Sequence, residues 1–171
     1  MNSGLVVEDI PATRNWLAEA LVQAFPGITV QSAATQSAAL AVIEDQVFDV
    51  ALVDLDLPDG SGLAAIAGLR RRSPAAVVVV TTIFDDDAHV FPAMQAGAQG
   101  YLLKEQPREV FVAGLQGVLR GDPPLSPAIA RRMIAHFNSA NLPGADPAVA
   151  LTARETEVPV SYTHLTLPTK A

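Results

Sequence analysis

Val50-Ala51-Leu52-Val53 is an unbroken apolar run that stops abruptly at Asp54-Leu55-Asp56, before a turn containing Pro58, Gly60 and Gly62. A strand without polar alternation suits burial on both faces, the condition of a central strand in a parallel sheet. Similar runs recur at Leu5-Val6-Val7, Ile28-Thr29-Val30, Val77 to Val80 and Tyr101 to Lys104. Helical patterns lie between them. Pro11 suits a first helical turn, and Leu17, Leu21 and Phe25 then repeat at helical spacing until Pro26-Gly27. An alanine-rich helix is predicted over 38–47. Leu63, Ile66, Ala67 and Leu69 predict a third helix closing on Arg70-Arg71-Arg72, cations that complement a helix carboxyl end. Asp85-Asp86-Asp87 suit the start of a fourth, and Pro107 that of a fifth, with Phe111, Leu115, Val118 and Leu119 on one face. Five strand-then-helix units predict an α/β fold, a doubly wound five-stranded parallel sheet with helices on both sides.

The chain then changes character. Gly121-Asp122-Pro123-Pro124 marks a boundary, and Ser126-Pro127 reads as an N-cap with proline at the first helical position. Ile129, Met133 and Phe137 give that short helix one apolar face, and residues 138–150 read as a flexible linker. Thr152-Ala153-Arg154-Glu155 is a capping box that announces another helix, which Pro159 breaks. Residues 159–171 have no helical periodicity.

In a parallel sheet the strand ends share one edge, where ligands bind. Here those ends supply Glu8-Asp9, Asp54, Thr82 and Lys104. Taken alone, Asp54 is open between a loop cap and a functional carboxylate. Three carboxylates close together cannot all stay ionised without a cation. Oxygen-only ligands suit Mg²⁺. A lysine can hold an anionic oxygen, and a threonine hydroxyl can donate to the same anion. Such a set fits phosphoryl transfer to a carboxylate, with Asp54 as nucleophile and Mg²⁺ and Lys104 stabilising charge. The absence of cysteine excludes disulfides and thiolate metal sites and favours a cytoplasmic setting. The net charge of −7 argues against non-specific nucleic-acid binding. No apolar run approaches the ~20 residues of a membrane span. His89, His136 and His164 lack metal-ligand spacing.

Four motifs in order carry a family resemblance: Val-Glu-Asp after the first strand, Asp-Leu-Asp-Leu-Pro-Asp-Gly-Ser-Gly, Val-Thr-Thr-Ile-Phe-Asp-Asp-Asp, and Ala-Gly-Ala-Gln-Gly-Tyr-Leu-Leu-Lys-Glu. Residues 5 to about 120 resemble the receiver domain of bacterial two-component response regulators, a flavodoxin/CheY-like fold. The resemblance implies that Asp54 accepts phosphate from a histidine kinase. Asp9, Asp54 and the backbone carbonyl of Asp56 would bind Mg²⁺, with Glu8 in the outer shell. Lys104 would pair with the phosphoryl group, and Tyr101 would be the aromatic that swings inward on activation. Thr81 and Thr82 compete for the switch hydroxyl. The spacing of 104 − 82 = 22 residues to the lysine favours Thr82, as does the register of Phe84 and the aspartates behind it.

Beyond the receiver, Leu125-Ser126-Pro127 and Leu-Thr-Ala-Arg-Glu-Thr-Glu-Val resemble the linker and first helix of NarL/FixJ regulators with a LuxR-type helix-turn-helix. This divides the chain into a receiver at 1–121, a linker at 122–150, a helix-turn-helix remnant at 151–158 and a tail at 159–171. That tail resembles adapter-derived read-through and is expected to be non-native. DNA binding and transcriptional control are then expected of the intact parent and not of this chain alone, and a homodimer on phosphorylation is a further expectation. Two other readings compete: a non-catalytic receiver-like interaction module, and a haloacid-dehalogenase-type phosphatase sharing the Asp-x-Asp of Asp54-Leu55-Asp56. In that phosphatase family the motif follows the first strand; here it follows the third.

Overall fold

The computed structural model describes residues 1–83 and 86–140. Phe84, Asp85, the later linker, the helix-turn-helix remnant, the tail and His164 lie outside the described residues. Strands β1 (Ser3–Val7), β2 (Thr29–Ala33), β3 (Val50–Val53), β6 (Val77–Thr82) and β7 (Gly100–Leu103) form one parallel sheet in the order β2-β1-β3-β6-β7. A two-residue hairpin, β4 (Asp56–Leu57) with β5 (Gly60–Ser61), follows the central strand. The order reverses between β1 and β3. Such a switch point opens a crevice at the strands' carboxyl ends, because the flanking helices depart to opposite faces.

Helices α1 (Pro11–Ala24) and α5 (Arg108–Gly117) cover one face, where Leu17, Leu21, Phe111 and Leu115 pack with Val6, Leu52 and Val79. Helices α2 (Gln36–Asp45), α3 (Gly62–Arg72) and α4 (Asp87–Gln95) cover the other, where Ile43, Ile66, Leu69 and Val90 pack with Val53 and Val80. The strand period of two therefore explains the unbroken apolar runs, since both sets of side chains meet a helix layer. The same period puts the two threonines on opposite faces of the sheet. Thr82 shares its face with Val80 and lines the crevice, whereas Thr81 shares its face with Val79. Thr81 is fully buried and its hydroxyl has no hydrogen-bond partner. Thr81→Val is expected to leave stability unchanged or raise it by about 1 kcal/mol, because the desolvated hydroxyl disappears while the shape is kept. A clear drop in the urea midpoint would contradict that.

Several boundaries differ from the sequence expectation. The second strand runs on to Ala33 through polar Gln31 and Ser32, because it is an edge strand whose side chains are largely exposed. Helix α2 begins two residues earlier, with Thr35 as its cap (Ala38 N–H to Oγ1, 3.1 Å), and ends at Asp45 rather than residue 47. Gly27, at a φ of +87°, makes the turn out of α1 that a Cβ would oppose. Helix α5 stops at Gly117 and tightens into a 3₁₀ turn at Val118–Arg120, which leaves Leu119 65% exposed instead of on the buried face. Asp86 caps α4 by accepting from the His89 N–H at 3.1 Å. After α5 a helix, α6 (Pro127–Ala140), follows as expected. Its Ile129 is fully buried, whereas Phe137 is exposed.

Candidate functional site

The crevice is a cavity of about 620 Å³ lined on its polar side by Asp9, Asp54, Asp56, Thr82 and Lys104 and on its apolar side by Ile10, Trp16 and Ile83. Each polar group arrives by a strand end: β1 leads into Glu8 and Asp9, β3 into Asp54, β6 ends at Thr82, and Lys104 follows β7. Lys104 Nζ stands 2.7 Å from Asp54 Oδ2 and 2.6 Å from Glu8 Oε2. The contact to Asp54 is an aligned hydrogen bond; that to Glu8 is ionic, and Oε2 has no aligned donor. Asp54 Oδ1 accepts from the Leu55 N–H at 2.8 Å, so both oxygens of this carboxylate are oriented.

Burial dominates the electrostatics. It raises the Asp54 carboxyl above its ordinary pKa, against the lowering effect of Lys104 and the Leu55 N–H, with Asp56 adding a smaller upward push. Glu8 is raised for the same first reason, again opposed by Lys104, and the Asp54 charge adds to the rise. One lysine faces two buried carboxylates. Ligand oxygens of Glu8, Asp9 and Asp54 all lie within 4.8 Å of one another, close enough to share one cation. The donor set is entirely oxygen, and the uncompensated negative charge asks for a hard divalent ion such as Mg²⁺.

The residues singled out in the sequence thus come together, with one difference of place. Tyr101 lies off the crevice, fully buried in a cluster that includes Val90, Ala93 and Ile129. Two residues that sequence reasoning passed over shape the site. Arg14, on α1, donates from Nη1 to the carbonyls of Glu8 at 2.7 Å and Asp9 at 3.0 Å, holding the acidic loop from behind. Asp59 accepts from the Gln36 N–H at 2.6 Å, the Ser37 N–H at 2.9 Å and the Ser37 hydroxyl at 2.6 Å. Those contacts, the Ser37 hydroxyl first, hold its carboxyl below the usual range and tie the turn after Asp54 to the start of α2. Neither partnership has a local sequence signal beyond a cation and a carboxylate in plausible helix and turn positions.

The model of the response regulator receiver domain matches residues 5–116. The chain belongs to that family. This receiver is 37% identical over 129 residues to a Bacillus subtilis protein described as an uncharacterized transcriptional regulatory protein, YhcZ, covering 75% of this chain and 60% of the relative. It is 31% identical over 157 residues to the Escherichia coli nitrate/nitrite response regulator protein NarP, covering 90% of this chain and 71% of NarP. Against the oxygen regulatory protein NreC of Staphylococcus carnosus it spans 53% of the relative's length. Among solved structures, a LuxR-family response regulator from an Aurantimonas species shares 26% identity at a TM-score of 0.68, over 80% of this chain and 97% of that one. The receiver domain of a NarL-type regulator from Mycobacterium tuberculosis shares 30% identity at 0.62, over 71% and 98%. The receiver therefore has the CheY-like fold and LuxR-family, NarL-type relatives, and it is a signalling-switch module of two-component systems. The phosphatase reading falls with this assignment. Among the described residues no helix is long and apolar enough to cross a membrane.

Proposed function

We propose that Asp54 is the phosphoacceptor of this receiver and that phosphorylation switches its conformation. The observation that carries the reading is the placement of Lys104 Nζ against both Asp54 and Glu8 at the mouth of the crevice. A sensor histidine kinase would present phosphohistidine. An Asp54 oxygen attacks phosphorus as the histidine N–P bond breaks, leaving an acyl phosphate on Asp54 and a neutral imidazole on the kinase once it is protonated as required. Leu55 N–H and Lys104 fix the carboxylate for that in-line displacement. Asp9, Asp54 and the carbonyl of Asp56 would hold Mg²⁺, with Glu8 behind them. When bound, the ion neutralises charge on the transferring phosphoryl group. Lys104 then pairs with a phosphoryl oxygen and Thr82 donates its hydroxyl to another. Drawing those residues in shifts β6, β7 and α4, and Tyr101 with them, which is a population shift biased by one local charge. The domain assists its own phosphorylation and dephosphorylation but turns over no separate substrate.

By likeness to NarP and the LuxR-family regulators, the output is transcriptional control in the cytoplasm through a DNA-binding domain, with homodimer formation on phosphorylation. The chain spans only about 60% of the Bacillus relative, so that output belongs to the longer protein. Intact-mass analysis after incubation with acetyl phosphate tests the core of the reading. The wild type is expected to gain one phosphate-sized increment that requires Mg²⁺, and Asp54→Asn to gain none. A wild type that takes up nothing while binding Mg²⁺ and remaining folded would favour the non-catalytic interaction module instead.

A further inference from the structure

After α5 the chain doubles back along the β7 edge of the sheet. The Pro124 carbonyl accepts from the Tyr101 N–H at 2.7 Å, and the Ser126 N–H donates to the Tyr101 carbonyl at 3.0 Å, so Leu125 bridges Tyr101 as a fragment of added parallel strand. The Ser126 side chain, 2% exposed, extends this contact. Its Oγ accepts from the Leu103 N–H at 3.1 Å and from Gln106 Nε2. Lys104 lies between these two partners in the chain. Its own N–H donates to the Thr82 carbonyl at 2.9 Å, and its Nζ reaches Asp54. Farther along, Ile129 is buried in the cluster that holds Val90, Ala93 and Tyr101, and the His136 ring stacks on Phe91 of α4 with centroids 3.7 Å apart.

We propose that Ser126 is a positioning residue for the phosphoacceptor site: by fixing the chain on both sides of Lys104 it makes docking of the linker helix and placement of the Lys104 ammonium one equilibrium. This rests on the reading of Asp54 and Lys104 given above. A hydroxyl has two lone pairs, and both are used here. Ser126→Ala leaves the partly buried Leu103 N–H and the half-buried Gln106 amide without their acceptor, and the loop between Leu103 and Gln106 is released to find other partners. Linkage is reciprocal: whatever holds Lys104 at Asp54 must also favour the docked linker. A phosphoryl group on Asp54 thus clamps α6 onto α4.

The test uses the full chain as wild type, Ser126→Ala and Ser126→Thr. Phosphoryl uptake is followed by intact mass over a range of acetyl phosphate concentrations with Mg²⁺, and amide exchange over Leu125 to His136 is followed with and without beryllofluoride, an acyl-phosphate mimic. Ser126→Ala is expected to lower the limiting rate roughly fivefold, the worth of one intramolecular hydrogen bond, with the half-saturating concentration unchanged. Ser126→Thr, which keeps the hydroxyl, restores the rate. Beryllofluoride is expected to slow linker exchange in the wild type and not in Ser126→Ala. If Ser126→Ala does not fold, Gln106→Ala removes one partner from a half-buried position and gives the same pattern at smaller amplitude. A Ser126→Ala protein whose linker exchanges faster but which takes up phosphate at the wild-type rate overturns the proposal. So does a wild type that takes up phosphate while its linker exchange ignores beryllofluoride. Those two outcomes leave the phosphoacceptor reading standing; a wild type that takes up no phosphate overturns both.

Discussion

Replacing Lys104 by methionine is expected to cut phosphoryl uptake at Asp54 by about 100-fold or more, and to make stability depend steeply on pH. The rate loss follows from removing a fixed charge beside the group where negative charge moves. The stability effect follows from burial. Glu8 is fully buried and Asp54 nearly so, and the ammonium between them is their shared counter-charge. Without it both carboxylates stay desolvated and repel each other, a change that costs about 3–5 kcal/mol near neutral pH. The sign is fixed by the direction of the shifts. Both carboxyls are already raised in the folded protein, so their favourable contribution is complete below the ordinary carboxylate range and is lost as pH rises through the folded values. Methionine removes the interaction that opposes the rise, so the destabilisation is largest at neutral pH and shrinks on acidification as the two groups take up protons. Urea unfolding at about pH 5 and about pH 7.5 measures it. An equal loss at both would mean that lost packing of the lysine stem, not lost charge, is the cause. Mg²⁺ should narrow the gap at neutral pH by supplying positive charge from the other side.

Gly62→Ala is expected to be nearly as damaging without touching a charged group. Gly62 opens α3 directly beneath the acceptor loop, and its N–H donates to the Leu55 carbonyl at 2.9 Å. A Cβ there would overlap the Asp54 carbonyl oxygen and lie 2.9 Å from its carbonyl carbon. The obstacle is backbone, which cannot rotate aside as a flexible side chain would. The protein must either give up about 3 kcal/mol or displace Asp54 from Lys104. Both outcomes are visible: a lower urea midpoint in the first case, slow phosphoryl uptake at near-normal stability in the second. A variant equal to wild type in both would show that this turn can yield to a methyl group and would overturn the prediction.

The parts of this architecture that were legible in the sequence are those set by burial. Val50 to Val53 and Val77 to Val80 are apolar throughout because helices cover both faces of the sheet, and the carboxylates and Lys104 stand out because each ends such a run. Where burial stops, so does the signal. Gln31 and Ser32 belong to an exposed edge strand, and nothing in them distinguishes a strand from a loop. The start of α2 is capped locally by Thr35, but its second anchor, Asp59, comes from 22 residues away and no local pattern can announce it. Val118 and Leu119 continue a helical spacing that the chain abandons for a tighter turn at Gly121. Ser126 reads as a helix cap, while its hydroxyl is committed to the β7–α5 loop. The preference for Thr82 over Thr81 rests on spacing to the lysine, whereas the face each one takes in β6 is visible only in the fold.

Trp16 is the sole tryptophan in the chain, and it forms part of the wall of the acidic crevice. Its ring meets Phe111 of α5 edge-on at 4.9 Å, and the Arg108 guanidinium sits 5.7 Å above it. All indole emission from this protein therefore originates beside the carboxylates that would hold the metal, and between the two helices that cover that side of the sheet. Filling the crevice with charge, or tilting α5 against α1, alters the field around a single fluorophore. The molecule carries its own optical gauge, readable without a label and free of any second tryptophan signal.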